Sequence, residues 1–254
     1  MTSTERLVLA ERHGPIGVVT LNRPGRRNSV SVEMCQQLYE RLWELSHSDA
    51  RVIVLRGGGT DFSVGADLKD NQSSVKPTLE LLGPAFHAST LLHSMPQVTI
   101  AAIDGGCAGA AMGWACSCDF RFATPRAKFV TAFLKVAVSG DMGLAWSLVR
   151  LVGGARAREL LFFSEKFGAD EALRYDLITR IFPAESLREE VLILAAELAQ
   201  TKAFALRMMK ANILSAERMD IADYIEIESA RHLHITGDPS FQLSFPQKSA
   251  EGLS

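Results

Sequence analysis

The chain lacks the marks of several large protein classes. Its four cysteines, Cys35, Cys107, Cys116 and Cys118, include no Cys-x-x-Cys pair. The Cys116-x-Cys118 spacing is too tight for the usual zinc ribbons. They read as reduced, mostly buried thiols of a reducing compartment, and a cytoplasmic location is expected. No His-Glu-x-x-His motif and no spaced acidic cluster occurs, so no metal site is expected. The formal net charge is only −2, which argues against nucleic acid or an anionic membrane as partner. Residues 1–14, MTSTERLVLAERHG, lack the long apolar stretch of a signal peptide. One segment, Val98–Cys118, has the hydropathy of a membrane span, but it carries Asp104, Gly105, Gly106, Gly109 and Gly113. A buried strand, turn and helix accounts for it better than a lipid-facing helix.

What is present fits a layered α/β protein. At 254 residues the chain suits one large domain, or one domain with a small appendage, and can bury a full core without staples. Leu7–Glu11 and Gly17–Leu21 read as a hairpin through Gly14-Pro15, closed by the turn at 22–25. Ser31 is placed to cap a helix through Ser46, with Cys35, Leu38, Leu42 and Leu45 on one face. Arg51–Arg56 and Val98–Ile103 are continuous apolar runs, as expected of strands buried on both faces. A helix is expected over Pro77–Met95 after a polar piece at 71–76. Short strands follow at 119–124 and 128–130, then helices over Asp141–Val152, Ala155–Phe163 and Asp170–Tyr175, and a strand at 177–182. Beyond Leu187 the pattern is helical, at 187–200, 203–214 and 221–235. Strand and helix units followed by a helical end argue for an α/β core with a helical C-terminal part.

Two stretches stand apart from this pattern. Asp61–Asp70, DFSVGADLKD, and Ile103–Asp119, IDGGCAGAAMGWACSCD, each run from a strand into small residues and then toward a helix. Small residues let backbone approach a ligand closely and leave N–H groups free at a helix start. Two such groups aimed at one oxygen would form an oxyanion hole.

Together with LNRPGRRNSVS (21–31), IAAIDGGCAGAAMGWACSCDFRFAT (100–124) and the run from Ala127 through Leu187, these stretches resemble the crotonase superfamily, the enoyl-CoA hydratase/isomerase family. The likeness extends over nearly the whole chain to about Leu214. It implies a spiral of ββα units over residues 1–186, a helical trimerisation region over 187–254, and assembly into a homotrimer or a dimer of trimers. It implies an acyl-CoA thioester as substrate, with coenzyme A present only as part of that substrate and no separate cofactor. The thioester oxygen would be held by the backbone N–H groups of Ala66 and Ala110. Family members often carry glycine at the second position, and alanine keeps the donor. The resemblance brings the coenzyme near the basic group Arg23, Arg26 and Arg27, of which Arg26 and Arg27 are taken to face its phosphates. Main-chain contacts carry over to Val64, Ala66 and Leu68, and Trp114 and Phe133 are expected to line the acyl pocket.

The chain departs from the hydratases at the proton-transfer groups. Typical hydratases use two glutamates; the matching positions here are Gly113 and Phe133, neither of which can move a proton. Asp141 is the counter-signal, because dienoyl-CoA isomerases and aromatic acyl-CoA dehalogenases carry a functional aspartate at the corresponding place. It would serve as acid and base in isomerisation, the favoured reaction, or as a nucleophile in hydrolysis or dehalogenation. A non-catalytic acyl-CoA-binding member is the further alternative. At the head of an expected helix Asp141 could instead be an N-cap, which would lower its pKa. Asp67 reads as an orienting or capping group, and His87 and His93 read as surface or packing residues.

Overall fold

The computed structural model describes residues 6–67, Gly83 and residues 85–237. Among these residues a six-stranded sheet runs in the order β1-β2-β3-β4-β6-β9. Its strands are β1 (Val8–His13), β2 (Ile16–Leu21), β3 (Val52–Gly57), β4 (Val98–Ile103), β6 (Phe120–Ala123) and β9 (Arg180–Ile181). Strand β1 pairs antiparallel with β2 through the turn at Gly14-Pro15, and every later neighbour in the sheet is parallel. A second sheet of β5 (Gly106–Ala108), β7 (Lys128–Val130) and β8 (Phe167–Gly168) lies in the order β5-β7-β8.

Apolar side chains of the central strands alternate between two cores, the period-two consequence of the pleat. Ile16, Val18, Val52, Val54, Val98 and Ile100 face α7 (Leu187–Gln200), which contributes Leu187, Val191 and Ala195. Val19, Leu21, Ile53, Leu55, Ala101 and Ile103 face the other way. There they meet α1 (Val32–Ser46), α2 (Ala88–Ser94) and α3 (Gly109–Cys116). Burial on both sides explains why these strands are uniformly apolar in sequence. Ser31 caps α1, its side chain accepting from the Met34 N–H, and the expected apolar stripe of Cys35, Leu38, Leu42 and Leu45 is buried.

The remaining helices are α4 (Leu144–Leu151), α5 (Gly153–Phe163), α6 (Ala169–Arg174), α8 (Ala203–Ala216) and α9 (Ile221–Thr236). Helix α8 is tied to the sheet by Lys210, whose buried ammonium donates to Asp119 Oδ2 and to the Gln97 carbonyl, each at 2.8 Å. The mixed α/β architecture with a helical C-terminal part is therefore observed.

Several element boundaries differ from expectation. The helix expected from Asp141 begins at Leu144, because Gly140, Met142 and Gly143 all take positive φ and cannot continue a right-handed helix. The strand expected at 177–182 contracts to Arg180–Ile181, since the Leu177 N–H folds back onto the Ala172 carbonyl. Of the helix expected at 77–95, Ala88–Ser94 is observed and Gly83, Ala85 and Phe86 are helical as well, while its residues 77–82 and 84, the polar piece at 71–76 and the tail from Asp238 lie outside the described residues. The short strand β5 lies within what sequence reads as loop.

Candidate active site

The site forms where β3 and β4 end, at the carboxyl edge of a parallel sheet, which is the general place for ligands in such sheets. After β3 the chain reaches Ser63, and after β4 it reaches Cys107; these two form a parallel bridge. The Ser63 N–H donates to the Gly106 carbonyl at 2.9 Å, and the Ala108 N–H donates to the Ser63 carbonyl at 3.0 Å. Ala66 and Ala110 each lie three residues past this paired point.

Neither alanine's N–H donates in a turn, loop or cap hydrogen bond among the described residues. Val30 bridges to Ala66 through its neighbours, donating to the Gly65 carbonyl and accepting from the Asp67 N–H, both at 2.8 Å. That register turns the Ala66 N–H away from Val30. Ala110 sits in the first turn of α3, whose N-cap Ala108 offers no side-chain acceptor. Its N–H is one of the donors that a helix start leaves without an intrahelical partner. Gly65, at φ +87°, lies so close to Ala108 that a Cβ there would meet the Ala108 carbonyl oxygen at 3.0 Å. The two loops are therefore in direct backbone contact, and glycine is required at the crossing.

A polar frame holds these loops. The Asn28 side chain, fully buried, accepts from the Arg23 N–H and donates to the carbonyls of Gly58, Asp61 and Phe62. Arg27 forks onto Asp61 with two bonds of 2.9 Å, and Asp61 also accepts from the Gly106 N–H at 2.7 Å. The hydrogen bond from Arg27 is the main cause holding the Asp61 carboxyl below the usual carboxylate range. Arg23 pairs with Asp67 at 2.7 Å and with Ser29. Asp67 is thus an orienting group, as expected. The basic cluster is partly structural: Arg23 and Arg27 are engaged, Arg27 remains largely exposed, and Arg26 is exposed with no side-chain partner among the described residues.

Asp141 arrives from a different part of the chain. It lies on the loop between a short 3-10 turn, Phe133–Val136, and α4. It is not a helix cap; α4 has Gly143 at its N-cap position and no side-chain cap bond. Asp141 Oδ1 is buried without a hydrogen-bond partner among the described residues, and burial pushes the carboxyl above the ordinary carboxylate range. The next residue, Met142, packs onto Gly113 of α3 so tightly that a Cβ on Gly113 would meet the Met142 Cβ and carbonyl oxygen at 2.8 Å each. Ser89 of α2 secures the same carbonyl, its Oγ donating at 2.7 Å. The loop that brings Asp141 thus closes over Gly113. Phe133 fills the space between Gly109 at the start of α3 and Gly140 beside Asp141.

A cavity of about 480 Å³ opens at this loop, lined in part by Phe86, Phe133, Asp141, Leu144, Trp146 and Leu161. The structure thus brings Asp141 and Phe133 together. Trp114 is wholly buried within the core. Val64 lies against the first turn, its N–H donating to the Arg27 carbonyl, and Leu68 lies outside the described residues. His93 packs edge-on against Trp146 and lies 3.5 Å from Glu217, a packing position. Sequence reading passed over Asn28, Ser89 and Met142. Only the Asn in the 21–31 stretch carried a signal, as a residue tolerant of the left-handed backbone it adopts at φ 54°.

A model of the enoyl-CoA hydratase/isomerase family matches residues 11–251. The chain is 32% identical to the 1,2-epoxyphenylacetyl-CoA isomerase of Escherichia coli K12, covering 87% of each protein. It is 26% identical to a 4-chlorobenzoyl coenzyme A dehalogenase of an Arthrobacter species, over 94% of this chain and 89% of the relative. Among solved structures, a protein of Thermobifida fusca YX assigned as an enoyl-CoA hydratase, in complex with CoA, superposes with a TM-score of 0.86 at 29% identity, covering 91% of this chain and 93% of that one.

Proposed function

The chain belongs to the enoyl-CoA hydratase/isomerase family, and from that premise we propose that it isomerises an acyl-CoA thioester through an enolate, with Asp141 as the single acid–base group. The Ala66 and Ala110 N–H groups donate to the thioester oxygen. Asp141, ionised, takes a proton beside the thioester carbonyl, and the electron pair moves onto that oxygen. The same carboxyl then returns the proton at a different carbon as the double bond shifts, so no atom is gained or lost. Each donor of such a hole contributes about 3 kcal/mol to the transition state. Burial of Asp141 raises its pKa toward the range where a carboxyl both accepts and returns protons.

The observation that carries this reading is the closure of Gly113 by Met142 together with the buried, unpartnered Asp141 oxygen. Two-glutamate hydration has no groups to run on, whereas one desolvated carboxyl suffices for proton shuttling. Arg26 and the exposed part of Arg27 are suited to the phosphates of coenzyme A. Exposed Met209, Ile213, Ile221 and Leu233 on α8 and α9 support a homotrimer or a dimer of trimers. A cytoplasmic setting fits the four free thiols, and no helix among the described residues is long and apolar enough to cross a membrane.

A second reading makes Asp141 a nucleophile, as in dehalogenation or hydrolysis; its sparse solvation and the likeness to the Arthrobacter dehalogenase favour it. Incubation with enoyl-, dienoyl-, β-keto- and aryl-CoA thioesters in heavy water, followed by mass spectrometry of the acyl group, separates the readings. Proton shuttling gives deuterium exchange that falls about 10²–10⁴-fold in Asp141→Asn. A nucleophilic role gives cleavage or halide release without exchange. Thioester binding with neither outcome across the panel identifies a non-catalytic binder and overturns the proposal.

A further inference from the structure

The cavity beside Asp141 is lined by aromatic rings from three separate places in the chain. Phe86 precedes α2, Phe133 opens the 3-10 turn, and Trp146 lies on α4. Phe133 is buried at 7% exposure, but Phe86 and Trp146 show 37% and 41% of their surface. Large apolar side chains that remain this open around a concavity are surfaces a ligand can cover. With the aliphatic lining of Leu144 and Leu161, Asp141 is the one charged side chain on the wall among the described residues.

From this lining we infer that the acyl group this site selects carries an aromatic ring, seated among Phe86, Phe133 and Trp146. The inference rests on the acyl-CoA reading above and adds the class of acyl group. Aromatic pairs prefer offset or edge-to-face packing and attract beyond their buried area. A saturated chain gains only the area. The carboxylate adds a second filter, because an arene presents a positive edge to an anion whereas an acyl group ending in a second carboxylate would bring like charges together. Gly140 and Gly143, flanking Asp141 and Met142, add no side chain of their own to the wall.

The test compares two acyl groups of equal carbon count and similar shape, phenylacetyl-CoA and cyclohexylacetyl-CoA. They are titrated calorimetrically into the full-length protein, with free coenzyme A as reference. The inference expects phenylacetyl-CoA to bind about three- to tenfold tighter than its saturated counterpart. It expects that advantage to shrink below about twofold in Trp146→Leu and in Phe86→Leu, both changes of partly exposed side chains that the fold tolerates. Equal affinities, or tighter binding of the cyclohexyl compound, overturn the aromatic inference and leave the acyl-CoA reading standing. Preference that survives in both variants also overturns it, since the named rings would then not be its source. Acyl thioesters that bind no better than free coenzyme A overturn the reading on which it rests.

Discussion

The two halves of the candidate site are built on opposite principles. The donor half, residues 61–67 and 104–110, is main chain locked to main chain: the Ser63–Cys107 bridge, the Val30–Ala66 bridge and the Asn28 side chain pin it, and the Arg27–Asp61 fork braces it. The carboxyl half, residues 132–143, has positive φ at Ala132, Ala137, Gly140, Met142 and Gly143, and is held from outside by Ser89 and by contact with Gly113. Fixed donors suit an oxyanion, whose charge needs preorganised dipoles. A carboxyl that must both lose and regain a proton needs a desolvated place more than a tight network, since every hydrogen bond to its charged form would lower its pKa.

The comparison breaks most sharply at Ala110. Proline is tolerated in the first turn of a helix and removes the N–H, and Gly109 before it, at φ +49°, has no Cβ to clash with the ring. Ala110→Pro is expected to lower proton exchange by about 10²–10³-fold while thermal stability changes little. The Asp141 titration, followed by ¹³C NMR of labelled aspartate, should stay where it is. A rate near wild type would remove the donor role from Ala110.

The converse experiment addresses the other half. Gly113→Ala places a Cβ 2.8 Å from the Met142 Cβ and carbonyl oxygen, so Met142 must move and Asp141 with it. Over-packing of this kind costs about 1–3 kcal/mol, read as a lower urea midpoint. Exchange should fall, while binding of a saturated acyl-CoA, which keeps the thioester oxygen for the donor half but has no double bond to move, is largely kept. Loss of binding in parallel would show that the two halves are not independent.

The same contrast explains what could be read from the sequence. The sheet strands announce themselves because Val52–Leu55 and Val98–Ile103 are buried on both faces and so are apolar without interruption. The donor loops are legible because close backbone approach demands small residues, as Gly65 shows at its crossing with Ala108. The setting of Asp141 is not legible. An aspartate ahead of an apolar helix resembles a cap, and only the left-handed turn at Met142 and Gly143 moves it out of capping position. Sequence shows the glycine at 113 but not the contact that requires it, made with a residue 29 positions later. The polar hub at Asn28 is hidden for a similar reason, since its partners Gly58, Asp61 and Phe62 become neighbours only after β3 has returned through the sheet.

The smallest expected effect is also the most discriminating. Ser89→Ala removes one bond, from Oγ to the Met142 carbonyl, at a cost of about 1 kcal/mol. A less firmly held loop admits water to Asp141, and with less desolvation its raised pKa moves down. Because the carboxyl must be ionised to take a proton, the acidic limb of the exchange profile should shift to lower pH. Stability carries the matching signature. A carboxyl whose folded pKa is raised supports the fold fully below its unfolded pKa, and that support is lost as pH rises through the folded value. Ser89→Ala should flatten this decline in urea titrations taken across pH. Asp61 is the internal control: its pKa is lowered, so its support is present above the unfolded value and is lost as pH falls through the folded one. That acid-side loss should be the same in both proteins. A Ser89→Ala protein whose acidic limb stays put while its urea midpoint falls would reduce Ser89 to a packing residue.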